Sequence, residues 1–299
     1  MGGNALNHLN VRRISRYEYI NYTKELSVLL KQYYKHHFIP HQFPAKESFG
    51  DIDVLVSSKI KEVDFESKGQ VKNGNIKSME YKGVQLDLIN LTEREFEMGK
   101  FLYSWGEFGQ LLGMNVIKFG FKTSQKGLYI RDPPFFLTTD PAQIMNFFDL
   151  DGKVYNKGFT SPTDVYNFFY ASKYFKAVAM SIKGTYRDSV KEYIEHCENK
   201  RIKESIVCTE PLNKFDLISK SIDYFNKQEE YKANLEEIAI NRKYKTLFNG
   251  SIVQDINHLE GKELGLFIHE FQKQHPKEDI LKLERDEVVD LIKHFSKKL

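Results

Sequence analysis

The sequence predicts an α+β protein: a small mixed sheet with flanking helices over residues 1–132, followed by a mainly α-helical domain over residues 133–299. Three observations carry this expectation. Runs dense in β-branched and aliphatic residues, Asp51–Val56, Ile76–Tyr81 and Val84–Leu91, all fall before Arg131. Arg131-Asp132-Pro133-Pro134 is the strongest break along the chain and sets the expected boundary. Beyond it, apolar residues recur at helical rather than alternating spacing. With 299 residues, 41% of them hydrophobic and 28% charged, the chain holds material for two ordinary domains and lacks the composition of a disordered one.

In chain order, Arg16 to about Lys35 reads as an amphipathic helix, with Tyr19, Ile20, Tyr22, Leu26, Leu29, Leu30 and Tyr33 near helical spacing and Ser15 as N-cap. Phe38-Ile39 begins a short strand closed by Pro40 and Pro44. A loop through Ser48-Phe49-Gly50 delivers the strand Asp51–Val56. After a polar connection over residues 68–75, Ile76–Tyr81 and Val84–Leu91 form a hairpin around Lys82-Gly83. A helix follows from Thr92 to about Leu112, with Thr92 and Glu95 as a capping box. Val116–Phe121 and Gly127–Ile130 read as a further strand pair. The remainder reads as helices at Pro141–Phe148, Thr163–Ala179, Tyr186–Cys197, Leu212–Arg242, Gly261–Gln274 and Glu284–Phe295.

The net charge of +3, from 44 basic and 41 acidic residues, neither demands nor excludes a nucleic-acid partner, because a local patch decides that. Two cysteines, Cys197 and Cys208, are too few for a disulfide framework and lack metal-ligand spacing, which fits a reducing compartment. No apolar run has the length of a membrane span, and Met1–Asn4 lacks a signal-peptide core, so a cytoplasmic protein without a membrane partner is expected. Oligomeric state is not legible.

The chemistry is expected at the acids. Residues i and i+2 of a strand share a face, so Asp51 and Asp53 point together. Two carboxylates this close raise each other's pKa unless a cation lies between them. Hard oxygen donors of this kind suit Mg²⁺. Asp87, embedded in the apolar run Val84-Gln85-Leu86-Asp87-Leu88-Ile89, would complete a two-metal site if its strand lies beside Asp51–Val56. Any one of these acids alone is ordinary: an Asp-x-Asp pair commonly marks a turn, and a lone strand Asp is commonly satisfied by backbone donors. The combination points to catalysis.

Ser48-Phe49-Gly50-Asp51-Ile52-Asp53-Val54-Leu55-Val56, with Asp87 on a later strand, resembles the acidic motif of the DNA polymerase β-like nucleotidyltransferase superfamily. The resemblance covers about residues 1–130 and implies a palm of mixed sheet and helices, two Mg²⁺ ions held by Asp51, Asp53 and Asp87, and a nucleoside triphosphate as substrate. The family's Gly-Gly or Gly-Ser turn is missing from its usual place a dozen residues upstream, where Ile39-Pro40-His41-Gln42 stands. Gly2-Gly3 is the only Gly-Gly pair and would have to fold back to cradle phosphates; otherwise it is a frayed terminus. Lys46, Ser48 and Gly50 are the stronger triphosphate contacts. Lys173 and Tyr174, on a later helix, correspond to the Lys and aromatic that the family's helical domain often supplies to triphosphate and base.

Asn249-Gly250, a short helix and then Gly261–Ile268 also resemble a segment near the end of bacterial-type poly(A) polymerases and CCA-adding enzymes, where it helps hold RNA. Gly265 within that helix predicts close packing against another backbone. The Val-Arg-Asp signature of those enzymes is absent. A similar combination occurs in proteins of large phages and viruses, which would make the compartment a host cytoplasm. The expected activity is template-independent transfer of a nucleoside monophosphate to an RNA 3′ hydroxyl, tRNA included. The alternatives are transfer to a protein or small-molecule hydroxyl, as in AMPylation, and a non-catalytic RNA-binding protein with a palm fold.

Overall fold

The computed structural model describes residues 5–63, 67, 69–178, 188–204 and 214–297. The chain divides into two compact units, Met1–Lys227 and Gln228–Leu299.

The first unit is built on a five-stranded mixed sheet with the order β2-β4-β7-β6-β5. Its strands are β2 (Tyr34–Phe38), β4 (Asp51–Lys59), β5 (Gln70–Asn73), β6 (Ile76–Tyr81) and β7 (Val84–Leu91). The two central strands, β4 and β7, run parallel, while β2 and β6 flank them antiparallel. The β6–β7 hairpin turns at Lys82-Gly83, both at positive φ (51° and 82°), as a two-residue hairpin loop demands. A small ribbon of β1 (Ile14–Ser15) and β3 (Ser48–Phe49) stands before β4.

Alternation gives the sheet two different faces. Ile52, Val54, Val56, Leu86 and Leu88, all fully buried, pack with Tyr19, Leu26 and Leu30 of helix α1 (Arg16–Leu30). Helix α1 starts at a Ser15–Glu18 capping box and ends five residues short of the expected Lys35, because Tyr34 is the first residue of β2. On the opposite face Leu55, Ile89 and Leu91 pack with Phe96 of helix α2 (Glu93–Tyr103), which starts at the expected Thr92–Glu95 capping box. Gly99 lets α2 come close: a Cβ there would lie 2.3 Å from Leu91 Cδ1 and 3.0 Å from Leu55 Cδ2.

The single helix expected from Thr92 to Leu112 is two. It breaks at Ser104–Glu107, where Gly106 takes φ +47°, and resumes as α3 (Phe108–Lys118). Val116, expected in a strand, belongs to α3: Leu111, Leu112, Asn115 and Val116 form its buried face. The strand begins only at Phe121, in a sheet of β8 (Phe121–Ser124), β9 (Gly127–Arg131) and β10 (Pro134–Thr138).

The boundary expected at residues 132/133 is not where the units part. Arg131 pairs with Pro134 across the β9–β10 hairpin, so the prolines mark a tight turn inside the first unit. Helices α4 (Pro141–Phe147), α5 (Gly152–Lys157), α6 (Pro162–Ala171), α7 (Lys173–Val178), α8 (Asp188–Glu204) and α9 (Lys214–Tyr224) complete that unit. The expected helix termini at Ala179, Tyr186 and Leu212 lie outside the described residues. Buried Phe108 sits among Phe101, Tyr155, Phe159, Phe168 and Phe169, which ties α2, α3, α5 and α6 together.

The second unit is helical: α10 (Gln228–Leu247), α11 (Gly250–Asn257), α12 (Gly261–Gln274), α13 (Lys277–Ile280) and α14 (Arg285–Ser296). Its core comprises Leu247, Phe248, Val253, Phe267, Phe271, Ile280, Val288, Ile292 and Phe295. Asn249 caps α11, its Oδ1 accepting from the Ile252 N–H at 3.0 Å. Gly265 does not meet another backbone as expected: nothing lies within 4 Å of where its Cβ would be. No helix among the described residues is long and apolar enough to cross a membrane.

Candidate active site

The parallel pairing of β4 and β7 sets Asp53 directly opposite Asp87 and Asp51 opposite Gln85. All four side chains fall on the α2 face of the sheet, beyond the end covered by Leu55, Ile89 and Leu91. Asp51, Asp53 and Asp87 each offer a carboxylate oxygen within 4.8 Å of the others, so the three could hold a metal ion. Like charges facing each other across strands cost stability, and the electrostatics carry that cost. Burial first, then the charges of Asp51 and Asp87, push the Asp53 pKa up to about 7; Lys46 opposes the shift. Asp51 is raised by burial and by Asp87, against Lys46 and Arg13. A multivalent cation among the three carboxylates would reverse both shifts, and hard oxygen donors in this number fit Mg²⁺.

Gln85 holds the third acid. Its Nε2 donates to both oxygens of Asp87, at 3.0 and 2.9 Å. Its Oε1 in turn accepts from the Leu6 N–H at 3.2 Å, and both Leu6 and Gln85 are buried. The N-terminal segment therefore reaches the site at Leu6. Gly2 and Gly3, expected to cradle phosphates, lie outside the described residues.

Among the described residues no strand pairs with β4 on its β2 side beside the acids. The last β2 partner on that edge is Phe38, opposite Leu55; the chain then leaves the sheet at Ile39-Pro40 and returns through β3. Lys46, Gln42, Phe49 and Tyr19 gather beside this stretch. Lys46 Nζ donates to Gln42 Oε1 at 2.9 Å and sits 4.7 Å from the Phe49 ring centroid. Loss of hydration lowers the Lys46 pKa, and Asp51 and Asp53 pull it back up. Tyr19 of α1 stacks on Phe49 with centroids 4.0 Å apart. Burial raises the Tyr19 pKa, the Gln42 side chain opposes the rise, and the charges of Asp53 and Asp51 add to it. The Tyr103 hydroxyl accepts from Gln125 Nε2 at 3.1 Å. Burial raises its pKa, and Asp53 contributes to the rise.

Of the residues expected at a triphosphate, Lys46 is thus brought to the acids. The Ser48 hydroxyl accepts from Arg13 Nε at 2.9 Å, while its carbonyl accepts from Arg13 Nη2 at 3.0 Å, so Ser48 anchors a second cation beside Asp51. Gly50 joins β3 to β4 directly before Asp51. Lys173 and Tyr174 are engaged elsewhere. Lys173 faces Asp149 at 4.0 Å, and Tyr174 packs edge-on against Phe119. Both stand on α7, which packs against α3 and α6. Gln85, Tyr19, Gln42 and Tyr103 are not expected at the site from sequence. Of these only Gln85 has a signal there, standing two residues before Asp87 and so on the same face.

No protein-family model matches this chain, and no curated protein matches it.

Proposed function

We propose that residues 1–132 of the first unit form a polymerase β-like palm and that the protein is a metal-dependent nucleotidyltransferase, moving a nucleoside monophosphate from a nucleoside triphosphate to an RNA 3′ hydroxyl. The observation that carries this reading is the β4–β7 pairing, which makes one acidic cluster of Asp51, Asp53 and Asp87 on a sheet face with cations at its margin. Mg²⁺, when bound, would neutralise charge on the phosphates and polarise the α-phosphate. Asp51 and Asp53 are the residues that would hold it, with Asp87 completing the set.

The acceptor hydroxyl forms a bond to the α-phosphorus, the bond from that phosphorus to the bridging oxygen of the β-phosphate breaks, and pyrophosphate leaves. Asp87, steadied by Gln85, takes the proton of the attacking hydroxyl. Lys46 and Arg13 bring positive charge to the departing phosphates, so positioning and charge neutralisation dominate the rate. The Asn249 turn followed by α11 and α12 keeps the order seen in RNA-holding segments of poly(A) polymerases and CCA-adding enzymes, and this supports RNA as acceptor.

The test is incubation with each labelled nucleoside triphosphate, Mg²⁺, and either a tRNA transcript or a protein extract. Label is expected on RNA and is lost on chelation of the metal. Label on protein alone would reassign the acceptor. No label together with no Mg²⁺–nucleotide binding would overturn the reading.

A further inference from the structure

The Tyr19 hydroxyl is an oddity that packing leaves unexplained. The residue is only 6% exposed, and its O–H has no acceptor within hydrogen-bond distance; the Gln42 side chain approaches the oxygen as a donor without closing a bond of normal length. Buried phenol hydroxyls ordinarily find an acceptor, because leaving a donor unsatisfied costs stability. The ring is accounted for by its stack on Phe49, and a phenylalanine would serve that stack equally well. The hydroxyl is near enough to Asp53 and Asp51 for both charges to act on it, yet it bonds to neither. It sits where β2 has left the β4 edge, beside Gln42 and Lys46.

The chemistry of the margin identifies what would satisfy it. Gln42 spends its carbonyl oxygen on Lys46 and so presents its amide N–H groups; Lys46 carries only donors; and a phenol kept protonated offers its O–H. The carboxylates opposite, when ionised, carry only acceptors. Donors at this margin beside carboxylates that a cation would return to the charged form suit one kind of ligand, an oxyanion that brings its own divalent cation. The cation meets Asp51 and Asp53, while the oxyanion's other oxygens meet the donors.

We propose that Tyr19 is a binding residue for the polyphosphate of the metal–nucleotide, donating its O–H to a phosphate oxygen beside Gln42 and Lys46. This rests on the metal-dependent reading of the acidic cluster. It adds that the tail of the nucleotide lies along the edge of β4, on the side where β2 ends. The hydroxyl left without an acceptor is then a feature of the ligand-free protein, satisfied on binding.

The experiment compares the wild type with Tyr19→Phe, which keeps the ring and removes only the hydroxyl. The probes are Mn²⁺ alone, followed by its spin resonance, and Mg²⁺–tripolyphosphate, followed by calorimetry. Mn²⁺ affinity is expected to be unchanged, and Mg²⁺–tripolyphosphate to bind about ten- to a hundredfold more weakly, as befits loss of one hydrogen bond to a charged oxygen. The ligand-free variant is expected to melt no lower than the wild type, because an unsatisfied buried group has been removed. Gln42→Ala, in the loop between β2 and β3, is expected to weaken the same ligand without touching Mn²⁺. If Tyr19→Phe binds Mg²⁺–tripolyphosphate as tightly as a wild type that does bind it, the Tyr19 assignment falls and the metal site stands. If Mn²⁺ binding is lost instead, the hydroxyl serves the metal and the phosphate assignment is overturned. If the wild type binds neither probe, both readings fall together.

Discussion

Asp53 and Val54 are neighbours on one strand and belong to different problems. Val54 points to the α1 face, fully buried among Ile52, Val56, Leu86 and Leu88. Asp53 points to the other face, opposite Asp87, in a place that costs stability to maintain. The α2 face carries the same contrast along its own length: Leu55, Ile89 and Leu91 are sealed by α2, and two residues earlier the same strands turn to Asp53 and Asp87. The central strands thus divide their residues between the core and an acidic cluster that could hold a metal ion by alternation, and then divide one face again by how far α2 reaches.

The sharpest way to break this comparison is to exchange the two roles. Asp53→Asn keeps the shape and removes the charge; the proposed nucleotidyl transfer is expected to fall at least about a thousandfold with the fold intact. Val54→Asp moves a carboxylate one residue along, onto the α1 face, where no cation waits. A buried unpaired carboxylate costs several kcal/mol, much of the stability of an ordinary domain. Circular dichroism and urea unfolding should therefore separate the variants: native for Asp53→Asn, largely unfolded for Val54→Asp. Equal stability in both would mean that the faces are not divided as described.

The cost of the acidic face should also appear as a pH dependence. The Asp53 pKa is about 7 in the folded, metal-free protein, against an ordinary value of 3.8. The folded state therefore holds a proton that the unfolded state releases. Its contribution is full below about pH 4 and is lost as pH rises through about 7, a decline of up to about 4 kcal/mol. Urea midpoints measured in chelator should fall over that range. Asp53→Asn should flatten the decline, and Mg²⁺ held by the three acids should lift the upper end, because that site exists only in the folded state. On the α1 side burial lowers the pKa of His37, which meets Ser27 of α1, and this gives a rise with pH of the opposite sign; the comparison with Asp53→Asn is what isolates the acidic face.

Much of this architecture is legible in the sequence. The Asp51–Val56 strand, its alternation, the Thr92 and Ser15 caps and the Lys82-Gly83 turn follow from local rules. Asp87 stands out because a carboxylate inside an apolar run needs a partner. What local pattern cannot supply is register. Nothing in the 33 residues between Asp53 and Asp87 states that they pair in parallel and meet, since the intervening hairpin could have placed either face toward β4. Tyr19 is legible as one of the apolar stripe of α1, which is correct for its ring. The role of its hydroxyl depends on where β2 ends, a tertiary fact. Pro133-Pro134 misleads because proline reports a turn and says nothing of how many contacts cross it; here they close a hairpin. Lys173 and Tyr174 mislead for a similar reason, since a helix's spacing does not tell which neighbour it faces.

The smallest expected effect tests how closely α2 must lie to keep the two halves of its face distinct. At Gly99 an added methyl would meet Leu91 Cδ1 at 2.3 Å and Leu55 Cδ2 at 3.0 Å, both in buried side chains. Overpacking of this kind costs about 1–3 kcal/mol. Alanine recovers about 1 kcal/mol of helix propensity over glycine. Gly99→Ala should therefore lower stability by about 1 kcal/mol, the leucine ends shifting or α2 riding outward. The two responses differ at the site, because α2 ends at Tyr103, beside Asp53. If the leucines yield, Mn²⁺ affinity is unchanged. If the helix moves, Tyr103 moves with it, and a small loss of Mn²⁺ affinity should accompany the loss of stability. An unchanged melting temperature would show that α2 does not lie as close to Leu55 and Leu91 as the packing requires.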